Sequence, residues 1–210
     1  MNKTTIMFLG DSITDMGRTK LPYETEPWSF GIGYPQFVAG YLDYNYPGKY
    51  KVINKGITGN RVVDLYARIK RDVWNLKPDY LCILIGANDV WHEIDRGDGV
   101  DIERFEKVFS MLIEDTQKNV PGIKIMLMEP FVLYGFETEN QYDDFLKIKD
   151  YAQVVKRISE KYKLPFIPLQ EKLDKITKEH GVENYLYDGV HPAPAGAYFI
   201  ANEFITTFIK

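Results

Sequence analysis

Cysteine is almost missing from this chain, and Cys82 alone cannot close an internal disulfide. Inside the apolar run from Tyr80 to Ile85 it reads as a buried strand residue, which leaves neither a disulfide scaffold nor a thiol metal site. Long hydrophobic runs are missing as well, for none reaches the roughly 18–20 residues that a membrane-spanning helix needs. The first apolar segment, Ile6–Leu9, is too short for a signal-peptide core and no small-residue cleavage pattern follows it. A cytoplasmic protein with no membrane partner is therefore expected. Positive charge is not in excess either: 26 basic against 30 acidic residues give a net charge of -4, with the basic residues scattered, which argues against nucleic acid as a partner. Repeats, low-complexity tracts and linkers are absent.

What is there is the composition of a globular protein, 45% hydrophobic and 27% charged, at a length suited to one domain over residues 1–210. Short apolar runs at Ile6–Leu9, Lys51–Asn54, Tyr80–Ile85, Ile123–Met128 and Pro165–Leu169 read as five strands. Between and after them, helical periodicity covers Gln36–Tyr44, Val62–Leu76, Ile102–Asn119, Tyr142–Tyr162 and Ala195–Ile209. Strands alternating with helices predict a parallel sheet covered on both faces, an α/β domain in three α/β/α layers. Three stretches rich in turn residues, Arg18–Tyr34, His92–Asp101 and Phe131–Gln141, read as long loops of the sort that carry function.

The chemistry gathers at strand ends. Gly10-Asp11-Ser12-Ile13 follows the first strand, Asn54-Lys55-Gly56-Ile57-Thr58-Gly59-Asn60 the second, and Gly86-Ala87-Asn88-Asp89 the third. In a flavodoxin-like strand order, 2-1-3-4-5, the first and third strands flank the switch point where open α/β sheets bind their ligands. Near the other end, Asp188 stands three residues before His191, a spacing that lets a carboxylate hold an imidazole in one tautomer while the other ring nitrogen takes a hydroxyl proton. A serine hydroxyl is a poor nucleophile without such a base. Of the other two histidines, His180 reads as a helix C-terminus, and His92 lies near the site; neither is the candidate base. Taken singly these motifs have plainer uses: a Gly-Asp-Ser turn, a helix cap at Asn88-Asp89, a helix entrance at His191-Pro192. Their joint occurrence, in order and at the right strand ends, favours a catalytic set.

Gly10-Asp11-Ser12, the glycine block Gly56–Asn60, Gly86-Ala87-Asn88-Asp89 and Asp188-Gly189-Val190-His191 together resemble the SGNH, or GDSL, hydrolase family over nearly the whole chain. That resemblance implies a five-stranded flavodoxin-like fold, Ser12 as nucleophile, Asp188 and His191 completing a triad, and an oxyanion hole from the amides of Ser12 and Gly59 with the Asn88 side chain. Gly56 stays open as an alternative amide donor. The second and third blocks are similar to the intracellular acetylxylan-esterase branch, which implies a short-chain, acetyl-directed esterase acting on an acetylated sugar, with no cofactor or metal, and an oligomer with which 15 tyrosines are compatible. Trp91, Tyr187 and Trp28 are candidates to stack on a sugar ring, with core packing as the competing role. Arg18, Lys20, Arg61 and Trp91 are candidates for the mouth of the site.

Three other readings compete. A general or lipid-directed esterase, such as a lysophospholipase, needs an apolar groove or lid, and no strongly hydrophobic insertion supplies one. A metal-dependent phosphoesterase would draw ligands from Asp11, Asp15, Asn88, Asp89, Asp188 and His191. A non-catalytic flavodoxin-like module would bind an anion on the Gly10–Thr14 turn. The α/β-hydrolase architecture is disfavoured because Thr14 stands where its Gly-x-Ser-x-Gly elbow requires glycine.

Overall fold

The computed structural model describes residues 3–20 and 27–209. Five strands, β1 (Thr4–Gly10), β2 (Tyr50–Gly56), β3 (Tyr80–Leu84), β4 (Lys124–Met128) and β5 (Phe166–Ile167), form one sheet in the order β2-β1-β3-β4-β5. Every pairing is parallel. Residues Ile6 to Leu9 of β1 are fully buried, as a strand covered on both faces requires. The helices are α1 (Ser12–Asp15), α2 (Tyr34–Asn45), α3 (Val62–Ile69), α4 (Ala87–Arg96), α5 (Ile102–Asn119), α6 (Tyr142–Phe145), α7 (Ile148–Tyr162), α8 (Gln170–His180) and α9 (Pro194–Phe208). Helices α2 and α9 pack together on one side, while α3, α5 and α7 pack in sequence on the other. The fold is the three-layer arrangement expected.

Register is what positions the site. Gly10 of β1 lies beside Gly56 of β2 and beside Leu84 of β3, so three strands end level and their loops leave from one rim. The chain crosses from β1 to its two neighbours on opposite sides here, which opens a crevice at the carboxyl ends.

Several expected bounds shift. The stretch at 92–101 is not a loop: α4 runs to Arg96 and stops at Gly97, which takes a left-handed φ of 66°. Its polar residues resemble a loop, yet Ala87, Val90, Trp91 and Ile94 follow helical spacing and face the core. The helix from Val62 widens after Ile69 into a π-turn over Lys70–Trp74, and the helix expected at 142–162 is broken between Phe145 and Ile148. Helix α8 ends at His180 before Gly181, as the reading of His180 as a helix C-terminus expects, but the sequence leaves its extent unmarked, because its buried side is thin, chiefly Leu173 and Thr177. Residues 21–26 of the first expected loop lie outside the described residues.

Candidate active site

Ser12 is carried on a tight turn between β1 and α1. Strand β1 ends at Gly10, where a side chain would meet the Leu84 carbonyl oxygen at 2.5 Å and collide with the Thr14 hydroxyl. Asp11 then caps the next turn, its carboxylate accepting from the Ile13 amide at 2.9 Å. Helix α1 lasts one turn before Met16 adopts a left-handed φ of 38°. Ser12, at the start of that turn, stays half-buried while Asp11 and Ile13 are buried beside it. Burial pushes the Asp11 carboxyl up to about 6, against the pull of the Ile13 amide and of the His191 and Arg68 charges.

His191 reaches Ser12 from the opposite end of the chain. The Tyr187 amide donates to the His191 carbonyl at 3.1 Å, and Leu186 pairs with Pro192, which closes residues 187–191 into a tight loop. Gly189, at a φ of 99°, lies where a side chain would strike the Leu133 carbonyl at 2.6 Å. Inside the loop the Asp188 carboxylate accepts from the amides of Val190 at 2.9 Å and His191 at 2.7 Å. Its other oxygen lies 2.6 Å from His191 Nδ1, and His191 Nε2 lies 2.8 Å from Ser12 Oγ. Burial by itself would raise Asp188, but the hydrogen bonds from the His191 ring and the two amides outweigh it and hold the carboxyl below the usual range. Burial likewise opposes charge on His191, and the Asp188 hydrogen bond and charge, with Asp11 and Glu137, outweigh it and lift the imidazole above its ordinary value.

The third wall comes from β2 and β3. Asn88, in the first turn of α4, donates from Nδ2 to the Asn60 carbonyl at 3.1 Å. An amide group has two N–H donors, so the second remains for a ligand. The neighbouring glycines differ sharply. The Gly56 amide is already given to Asn54 Oδ1 at 2.8 Å, whereas the amides of Ser12 and Gly59 have no acceptor among the described residues. Gly59 has a φ of 80° and lines the cleft. The loop that carries it is tied to the serine turn by Asp15, which accepts from the Thr58 amide at 3.0 Å and its hydroxyl at 3.1 Å.

These groups line a cleft of about 170 Å³ formed by Ser12, Thr58, Gly59, Asn88, Trp91, His92, Asp95, Arg96 and His191. Of the aromatic candidates, Trp91 is in the lining, its ring 5.8 Å from that of His191 and 5.3 Å from Phe145. Tyr187 stacks on His191 at 5.8 Å and is otherwise exposed. Trp28 is exposed on a short turn and is not part of the lining. Three of the four mouth candidates are not in this lining and engage the loops around it: Arg18 donates to the Gly56 carbonyl at 2.7 Å, Lys20 pairs with Asp15 at 3.1 Å, and Arg61 pairs with Asp64 at 3.0 Å. The acidic residues considered as metal ligands turn to separate tasks, Asp11 to Ile13, Asp15 to Thr58 and Asp89 to the Val62 amide at 3.0 Å; no metal-binding grouping of His, Cys, Asp and Glu occurs among the described residues.

Sequence reasoning passed over Arg68. Its guanidinium, nearly buried, spans the site from behind, donating to Asn60 Oδ1 at 2.7 Å and the Gly10 carbonyl at 3.1 Å and pairing with Asp72 at 2.6 Å. An arginine and aspartate four apart at the end of an amphipathic helix were the available signal. Thr58, His92, Asp95 and Arg96 were likewise not proposed as lining residues.

The profile of the GDSL-like Lipase/Acylhydrolase family matches residues 8–198. The acetylxylan esterase of Geobacillus stearothermophilus is 36% identical over 206 residues, 95% of this chain and 91% of the relative. The solved structure of Axe2, an acetylxylan esterase from the same organism, superposes with a TM-score of 0.86 at 34% identity, covering 97% of this chain and 93% of that one. A candidate GDSL-like lipase from Parabacteroides merdae ATCC 43184 reaches 0.91 at 33% identity, over 100% and 98%. No described helix is long and apolar enough to cross a membrane. With a serine, an imidazole and a carboxylate joined at the carboxyl rim of its sheet, the chain belongs to the GDSL-like lipase/acylhydrolase family and is a carboxylic ester hydrolase.

Proposed function

We propose that this protein removes acetyl groups from a carbohydrate through an acyl-enzyme on Ser12. The observation that carries the reading is the chain of contacts from Ser12 Oγ to His191 Nε2, 2.8 Å, and from His191 Nδ1 to Asp188, 2.6 Å. Ser12 attacks the ester carbonyl while His191 takes its proton, and Asp188 steadies the imidazolium. The oxyanion is met by the free amides of Ser12 and Gly59 and the second N–H of Asn88; Gly56 is unsuited, its amide being spent on Asn54. His191 then protonates the departing alkoxide, and the same imidazole activates the water that releases acetate.

A short acyl group is favoured because no strongly hydrophobic insertion in the sequence supplies the groove or lid that a long chain needs. The carbohydrate assignment draws on the relatives: Axe2 is described as an acetyl-xylooligosaccharide esterase, and its catalytic mutants replace one serine and one aspartate by alanine, the residue types of Ser12 and Asp188. Trp91 and Tyr187, flanking His191, offer apolar faces beside the reacting group. The experiment is hydrolysis of p-nitrophenyl acetate, p-nitrophenyl octanoate and acetylated xylobiose by wild type and Ser12→Ala, with and without chelator. Chelator-resistant deacetylation lost in the variant and preferring acetate is expected. Preference for octanoate would point to a lipid-directed esterase, and activity surviving Ser12→Ala but lost with chelator would overturn the serine mechanism.

A further inference from the structure

Helix α4 does more than present Asn88. Residues 88, 91, 92, 95 and 96 all line the cleft, the spacing of one helical face. At 1.5 Å per residue that face extends roughly 10–12 Å outward from Asn88, longer than the reacting ester itself. It carries first an indole and an imidazole, then a carboxylate and a guanidinium.

His92 gives this face its chemical meaning. Nine-tenths buried, it has an Nδ1 that is inaccessible to solvent and lacks a hydrogen-bond partner in the free enzyme. The polar group that approaches Nδ1 is Asp98 Oδ1, at 3.8 Å. Asp98 is held in place: its amide donates to the His92 carbonyl at 3.3 Å, Arg61 contacts its carbonyl, and its carboxylate lies 3.5 Å from Arg96 Nε. At that distance Asp98 makes no hydrogen bond, but its negative charge on the Nδ1 side favours the tautomer with the ring proton there and the lone pair on Nε2. Burial, ahead of the Arg96 charge, holds the imidazole neutral by lowering its pKa below the ordinary value. A neutral acceptor on a residue that lines the cleft matches an uncharged donor, and a hydroxyl group is one.

We infer that the cleft face of α4 beyond Asn88 is the subsite for the alcohol half of the ester, in which His92 Nε2 accepts a hydrogen bond from a free hydroxyl near the acylated oxygen and Asp95 and Arg96 bracket the next polar group outward. The ligand class is a polyhydroxylated acceptor. The inference rests on the deacetylase reading above and adds to it which residues read the acceptor. His92 is a specificity residue here, distinct from the base His191.

The test uses the whole protein and three acetyl esters: p-nitrophenyl acetate, which has no hydroxyl, monoacetylated glycerol, and partially acetylated xylobiose with a free hydroxyl beside the ester. The quantity read is kcat/KM on each hydroxyl-bearing ester divided by that on the aryl ester, for wild type, His92→Phe and His92→Gln, with thermal melting as the check on folding. His92→Phe keeps a ring and removes the acceptor, and the ratio is expected to fall about tenfold or more, the scale on which a site loses discrimination when one hydrogen-bonding partner goes. His92→Gln restores an acceptor near the place of Nε2, and the ratio is expected to return most of the way. Equal falls for both variants, or no change in either, would overturn the subsite. If wild type cleaves glyceryl acetate but not the xylobiose ester, the carbohydrate reading fails, while a selective loss on glyceryl acetate in His92→Phe still supports the subsite. A wild type that ignores both hydroxyl-bearing esters overturns both.

Discussion

The side-chain amide of Asn88 is fastened by the backbone of Asn60: Nδ2 donates to that carbonyl at 3.1 Å, one residue past Gly59. Two of the three proposed oxyanion donors are thereby set by a single loop, and neither has to reorganise when charge develops on the substrate. Asn88→Ala removes one preorganised donor, and kcat on p-nitrophenyl acetate is expected to fall on the order of 10²–10³. A loss below threefold, with the fold intact by circular dichroism, would mean that the oxyanion is stabilised elsewhere.

That loop is in turn held by Arg68, which grips Asn60 Oδ1 and the Gly10 carbonyl at once and so sets the distance between the serine turn and the oxyanion loop. Arg68→Lys keeps the charge but cannot make the planar three-way contact. Arg71 also pairs with Asp72, so the carboxylate is not orphaned when Arg68 changes. Misplacement of catalytic groups by about 1 Å can cost up to roughly 10²-fold in rate. We expect kcat to drop by about tenfold or more in Arg68→Lys and further in Arg68→Ala, with KM little changed and partial recovery of Arg68→Ala by added guanidinium. Unchanged kcat in folded Arg68→Ala would assign this residue to stability alone.

How much of this was legible in the chain depends on how local the signal is. Buried strands such as Ile6–Leu9 and the blocks around Ser12, Asn88 and His191 declare themselves, because a parallel strand is a short apolar run and each block is contiguous. The cleft face of α4 was hidden, since His92, Asp95 and Arg96 stand among polar residues that imitate a loop and only the apolar side of the helix reveals it. Choosing between Gly56 and Gly59 required knowing that Asn54, two residues back, takes the Gly56 amide. Trp28, a candidate from its position in a long loop, is not among the lining residues, and its carbonyl accepts from the Thr19 amide at 2.9 Å.

The two glycines should also part company when substituted. A side chain on Gly56 would collide with the Asp15 amide and meet the Thr14 carbonyl carbon at 2.7 Å, all backbone of the serine turn. Around Gly59 a Cβ meets nothing within 4 Å, and the cost of alanine there is the left-handed backbone, about 1–2 kcal/mol. Overpacking that forces backbone to move typically costs about 1–3 kcal/mol and here moves Ser12 too. Urea unfolding should therefore show Gly56→Ala as the less stable variant, with Gly59→Ala folding well but losing rate. The reverse order of stability would contradict the backbone geometry described.

His191 must be neutral to accept the Ser12 proton, and its pKa is raised above 6.5, so the acid limb of kcat/KM is expected above that of an ordinary histidine. Asp188→Asn removes the stabilising charge: the limb should move down in pH while the rate falls by up to about 10⁴-fold as tautomer control is lost. The linked stability has a definite sign. His191 binds its proton more tightly folded than unfolded, so its contribution is full below 6.5 and is lost as pH rises through the folded value. Asp188, lowered, contributes above 3.8 and loses that contribution as pH falls through its folded value. A limb unmoved in Asp188→Asn would show that another group sets it.

Asp89 carries the opposite expectation. Fully buried behind Asn88, it accepts from the Val62 amide at 3.0 Å, and burial, ahead of the Asp11 charge, pushes its carboxyl up to about 8. The folded chain then keeps a proton on Asp89 over a range, from 3.8 to about 8, in which the unfolded chain has released it. Stability must fall with rising pH across that window, because the native state binds the more protons. Asp11, raised by burial to about 6, acts in the same sense over the lower part. Asp89→Asn keeps an oxygen for the Val62 amide and has no charge to bury, so its urea midpoint should decline less than that of wild type between pH 5 and pH 8. The slope that remains should come from Asp11 below about pH 6 and from His191 above 6.5. Parallel declines in the two proteins over the whole interval would show that Asp89 stays ionised in the folded state, its charge carried by the amides around it.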